Sequence, residues 1–250
     1  MRSILSLFVL GFMICALPFF GAAAEPPTPP PADELPALID ALLGEDAKAV
    51  GQAQLTLLGK GAAASPALRA RLEKAEGDEA YRLIMVMSRI NDPELTKVFK
   101  QVWEKSPKAE VKMAAAMALC RLNVEYDRFL DFIARHVQEG EEDQRLEAMQ
   151  MLGYIGDARV VDPLKKIFYD QKQTDFVRQA AVWDLAHTPA PESARVLVEM
   201  LGDPEVDWFY KEIILTALRQ LARNKELVPV ISEGLEKIQR LPLPPVPAKP

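Results

Sequence analysis

The stretch Arg145-Leu146-Glu147-Ala148-Met149-Gln150-Met151-Leu152-Gly153-Tyr154-Ile155-Gly156-Asp157 reads as one helix and its stop. Gln144, Ala148, Met151, Leu152 and Ile155 share one stripe at helical spacing, and Gly156-Asp157 is a stop-and-restart signal. The pattern recurs at a step of 33 residues on both sides. Lys112, Arg145, Arg178 and Lys211 correspond, as do Leu119, Leu152, Leu185 and Leu218, and Ala115, Ala148, Ala181 and Ile214. A period of this size marks a stacked repeat, in which no unit buries its apolar face alone.

Working outward, each copy is preceded by a second apolar helix. Leu164, Ile167 and Phe168 return as Leu197, Met200 and Leu201. Each unit is therefore expected to be a hairpin of two antiparallel helices. The flanking copies carry the stripes Val111, Ala115, Ala118, Leu119, Leu122 and Val177, Ala181, Asp184, Leu185, Thr188. Small residues in mid-stripe admit a neighbouring helix closely. Ser65-Pro66, Asp92-Pro93, Ser106-Pro107 and Asp203-Pro204 each set a capping side chain before a proline, and Gly202-Asp203 repeats the stop signal. No alternating apolar run predicts a strand.

These segments resemble the second helix of HEAT repeats. That family's pattern runs Val-Arg, two spaced Ala, then Leu-x-x-Leu/Ile-Gly-Asp, and Arg145–Asp157 ends Leu-Gly-Tyr-Ile-Gly-Asp. The likeness covers residues 93–224; units at 35–64 and 65–92 rest on apolar spacing alone. The resemblance implies an all-α, right-handed α-solenoid of about six to seven stacked antiparallel helix pairs. It also implies a scaffold or adaptor more than a chemistry, since such solenoids serve as scaffolds, adaptors and, in one branch, bilin lyase subunits.

The ends read differently. Arg2 followed by the apolar run Ile4–Phe20 and Gly21-Ala22-Ala23-Ala24 reads as a secretory signal over 1–24, with an uncleaved membrane anchor as the alternative. Cys15 lacks the small preceding residue of a lipidation site. A proline-rich linker follows over 25–36, then the solenoid over 37–241, then a proline-rich tail over 242–250. The expected location is the periplasm or an equivalent exported space. Arg2 is the only charge of the signal, so the remainder carries 29 basic and 36 acidic residues, net −7. That balance and the lack of a basic cluster argue against phosphate backbones and anionic membranes as partners.

No motif for catalysis, metal or cofactor emerges. His136 and His187 lie in different units and nothing pairs them. Cys120, the single cysteine outside the signal, is expected to be a packed, inert thiol. Asp184 falls at a core position, where a carboxylate needs a partner or keeps its proton. Lys112, Arg145, Arg178 and Lys211 are expected to form a structural ladder, pairing with acids of adjacent units. Met85, Met87, Met113, Met117, Met149 and Met151 all fall in second helices. Of these, Met113, Met117 and Met149, with Leu146 and Trp183, are the expected apolar strip on a concave inner face, suited to a helix or extended peptide. The competing reading packs them against neighbouring repeats as core. Trp208-Phe209-Tyr210 cannot all face one way, so at least one ring is exposed or packed on the preceding loop. The resulting expectation is a non-catalytic scaffold that binds a protein or peptide. The alternatives are an enzyme-associated subunit of the lyase type and a structural spacer.

Overall fold

A computed structural model describes residues 34–239. The signal, most of the proline-rich linker and the tail lie outside these residues. The described chain is all-α, without a strand, and no described helix is long and apolar enough to cross a membrane. It divides into two compact units between Leu95 and Thr96, where the repeat pattern predicts one run from 37 to 241.

The first unit holds α1 (Glu34–Leu43), α2 (Ala47–Lys60), α3 (Ser65–Leu72) and α4 (Gly77–Met87). α1 begins inside the expected linker. Pro36 lies in its first turn, where the missing N–H costs no helical hydrogen bond. Ile39, Leu42, Leu57, Leu68, Leu83 and Met87 build the core. Arg82 donates to the Gly44 carbonyl at 3.0 Å, tying α4 to the end of α1.

The second unit holds α5 (Leu95–Lys105), α6 (Ala109–Arg121), α7 (Tyr126–Glu139), α8 (Glu142–Ile155), α9 (Val161–Tyr169), α10 (Asp175–His187), α11 (Pro191–Gly202), α12 (Trp208–Leu221) and α13 (Val228–Gln239). α7–α8, α9–α10 and α11–α12 are the expected hairpins. The second helices pack side by side, α6 on α8, α8 on α10 and α10 on α12, more closely than α7 on α9 or α9 on α11. The reason is in the stripe: Ala115, Ala118, Ala148, Ala181 and Ala217 are fully enclosed, and such small side chains let helix axes approach.

Hydrogen bonds about one period long fasten each layer to the next. Tyr126 donates to Asp157 across 31 residues at 3.0 Å. Tyr169 donates to Asp203 across 34 at 2.8 Å, and Tyr210 reaches back 35 to Asp175 at 2.7 Å. Lys165 pairs with Glu199 at 2.7 Å in the same sense.

The helix punctuation is only partly where the sequence puts it. Asp92, Ser106 and Asp203 each accept from a backbone N–H two residues on, but they make turns ahead of the helices: Lys108 directly precedes α6 and Asp207 caps α12. Gly156 ends α8 with φ of 64°, a left-handed conformation that favours glycine. Two further signals differ. Ser65 is the first residue of α3, not its cap, and its hydroxyl is buried without a partner. Gly202 belongs to α11, and a Cβ there would meet Ile238 of α13 at 3.0 Å, so the position is small for packing.

Candidate functional site

The expected methionine strip is not an open surface. Met113 and Met117 are 0% exposed and Met149 is 1% exposed, while Leu146 and Trp183 are half-buried. The physical cause is the tight row of second helices. α6 buries Val111 and every residue from Met113 to Cys120, so both of its flanks are enclosed. These methionines are core filler, and the reading of an exposed strip is corrected accordingly. Met87 and Met151 are buried too, and Met85 is half-buried.

The basic ladder is also rearranged. Arg178 donates through Nε to the Phe168 carbonyl at 2.8 Å and stacks over the Tyr210 ring of the next repeat at 4.5 Å. Its nearest acid, Asp175 at 3.9 Å, belongs to its own helix. Among the described residues, Lys112, Arg145 and Lys211 form no ion pair. Beside the Lys165–Glu199 pair and the Arg178–Tyr210 stack, the inter-repeat fastening passes through the tyrosine hydroxyls, which the 33-residue register does not single out.

Asp184 sits against the preceding second helix, and the helix is shaped for it. A Cβ at Gly153 would lie 2.4 Å from the Asp184 Oδ1. The residue as a whole is only half-buried, yet its carboxyl stands in a dense shell of protein atoms. Desolvation in that shell holds its pKa well above the usual carboxylate range. Among the described residues no side chain donates to it. Cys120 is enclosed, and burial first, with the Asp157 charge, pushes its thiol up to about 12. That is an inert packed cysteine, the opposite of a reactive one. His136 and His187 each place Nδ1 on the carbonyl four residues earlier, at 2.9 and 2.7 Å. Among the described residues no group of His, Cys, Asp and Glu gathers to hold a metal ion.

Large apolar side chains reach the surface at Leu55, at Val228 and, as a group, at the N-terminal edge of two second helices. Trp208 is 70% exposed, Phe209 53% and Phe176 55%. Phe176 and Phe209 are one 33-residue step apart, so they occupy equivalent places in adjacent repeats. The scaffold beneath them is built from the same two layers. Thr174 caps α10 and Asp207 caps α12, which sets each aromatic residue in a first turn. Tyr210 turns inward, 2% exposed, with its ring 5.2 Å from Phe168 and edge-on to it. Its hydroxyl on Asp175 joins the two helix starts. Burial first, then the Asp175 hydrogen bond, pushes the Tyr210 hydroxyl up to about 12. The rim is acidic: residues 170–175 and 203–207 hold Asp170, Asp175, Asp203, Glu205 and Asp207 against Lys172.

The sequence placed Trp208-Phe209-Tyr210 as a cluster with at least one ring outside, and the structure exposes two. Phe176 was missed. Its signal was available in the register, since it aligns with Phe209 at the step that relates Arg178 to Lys211.

No curated protein matches the chain. Residues 131–219, from within α7 to within α12, match the family model of HEAT repeats, and that match with the stacked hairpins makes this part of the second unit an α-solenoid similar to HEAT repeats.

Proposed function

We propose that this protein is a non-catalytic scaffold that binds a protein or peptide partner at the aromatic edge of its second unit. One observation carries the reading: Phe176, Trp208 and Phe209 are large, exposed and gathered at adjacent helix starts. Exposed aromatic side chains on a rigid scaffold supply contact area at small entropic cost. The half-buried Leu146 and Trp183 are secondary contact points along the second-helix row. The apolar character of residues 4–20 supports export, with the periplasm as the working compartment.

The test is affinity capture in the native host compartment, comparing the wild-type chain with Trp208→Ser/Phe209→Ser. A partner recovered reproducibly with wild type and lost with the double variant supports the reading. Equal recovery from both proteins contradicts it.

A further inference from the structure

Three arginines of the second unit share one arrangement: a guanidinium over an aromatic ring and beside a carboxylate. Arg128 stands 4.6 Å from the Trp103 ring centre and 2.5 Å from Glu125. Arg159 stands 3.3 Å from the Tyr126 ring centre and 2.8 Å from Asp157. Arg178 stands 4.5 Å from the Tyr210 ring centre and 3.9 Å from Asp175. The physics is common to all three. The ring face is the negative part of its quadrupole, and the carboxylate adds a full charge beside it, so the two together attract a cation more than either does.

The start of α12 repeats the ring and the acids. Trp208 is 70% exposed and Phe209 53%. Residues 203–212 hold Asp203, Glu205, Asp207 and Glu212 against Lys211. Asp203 is already engaged, accepting from the Glu205 N–H and the Tyr169 hydroxyl, and Asp207 caps the helix through Oδ1. Glu205 and Glu212 are exposed and, among the described residues, neither forms an ion pair. Glu212 lies one turn beyond Trp208 on the same side of α12, and Glu205 lies in the loop that leads into it. Lys211 is half-buried, and its charge acts on Asp203. Among the described residues no arginine or lysine lies over the Trp208 ring, and an indole is the best of the three ring types for a cation.

We propose that the Trp208–Phe209 edge takes a basic segment of its partner, with an arginine or lysine over the Trp208 ring and Glu205 and Glu212 as its charge partners. This rests on the reading of the edge as a binding surface and names the chemistry of the occupant. An apolar partner would cover the same rings but would desolvate the acids without pairing them. A second copy of this chain would bring the same acids to the edge, and like charge opposes that pairing.

The experiment uses the full purified chain and two end-blocked peptides. One alternates leucine with arginine, and the other alternates leucine with citrulline, which keeps the size and removes the charge. Titration calorimetry reads the affinity, and the Trp208 indole N–H signal in a two-dimensional NMR spectrum reads the place. The arginine peptide should bind roughly tenfold tighter than the citrulline peptide and should move the Trp208 signal. Trp208→Ser should weaken it severalfold. Glu205→Gln/Glu212→Gln should also weaken it severalfold and flatten its salt dependence, while leaving the rings and the Asp207 cap in place. Asp127→Asn/Asp131→Asn removes two charges from exposed positions on α7 and should change the affinity by less than about twofold. The proposal is overturned by an arginine peptide that does not bind, by equal affinity for the two peptides, or by an unmoved Trp208 signal. Equal losses from the two carboxylate pairs would also overturn it, since attraction to overall charge would then explain the binding. Partner capture that depends on Trp208 but not on Glu205 and Glu212 would remove the basic ligand and leave the binding edge standing.

Discussion

Asp184 and Asp157 move stability in opposite directions with pH. The Asp184 carboxyl has a folded pKa above its unfolded value of about 3.9. Between those two values the folded chain holds the extra proton, so stability declines as pH rises through that window. Asp157 has the reverse shift. Burial raises it, but hydrogen bonds from Arg159 and Tyr126 outweigh burial and hold the carboxyl below the usual range. Its contribution is present above the unfolded pKa and disappears as pH falls. Asp184→Asn should therefore melt higher than wild type at about pH 8, with the difference closing toward about pH 4. A thermal melt series across that range checks it, and a constant difference would contradict it. Gly153 is coupled to the same carboxyl. Gly153→Ala should destabilise the wild-type chain. In an Asp184→Ala background it should add up to about 1 kcal/mol, the helix preference of Ala over Gly. Denaturant titration of the four proteins measures that coupling. Asp184 was legible in the sequence as a misfit in a stripe of apolar residues. Its partner was not, because a glycine leaves no side chain from which to read a contact.

At the scale of elements, the hairpins were legible and the faces of the helices were not. The 33-residue register reports one residue per layer, so it finds Arg145 and Leu152 in each copy. It does not say how closely adjacent second helices approach. Five small side chains in the row close that distance, which encloses Met113 and Met117 on the flank that the stripe alone would leave open. The tyrosine fasteners escaped notice for a related reason. Their spacings of 31, 34 and 35 residues straddle the period, because they join helix termini whose offsets differ from layer to layer. Tyr169→Phe should cost about 1 kcal/mol by removing the donor to the Asp203 Oδ2, while the Glu205 N–H still holds Oδ1. Equilibrium unfolding measures this, and no change would mean the fastener contributes only geometry.

For the whole molecule, the repeat pattern is sharpest between residues 93 and 224, and the family match falls within that stretch at 131–219. The division at Leu95 and Thr96 was not legible, since the earlier units carry neither the periodic base nor the small-residue stripe that defines a layer. The candidate site was half legible. Its aromatic cluster stands out in the chain, but its exposure follows from the capping of α10 and α12, which decides which ring turns inward. The central claim is a separation of roles: methionines inside hold the stack, and aromatic side chains at the edge hold the partner. The direct measurement is thermal stability and partner capture on the same two variants, Met117→Ala and Trp208→Ser. The account predicts that Met117→Ala loses about 2–5 kcal/mol of stability while its folded fraction still captures the partner. It predicts that Trp208→Ser changes stability by no more than about 0.5 kcal/mol and loses capture. A Met117→Ala protein of unchanged stability that no longer captures, beside a Trp208→Ser protein that captures normally, would contradict it.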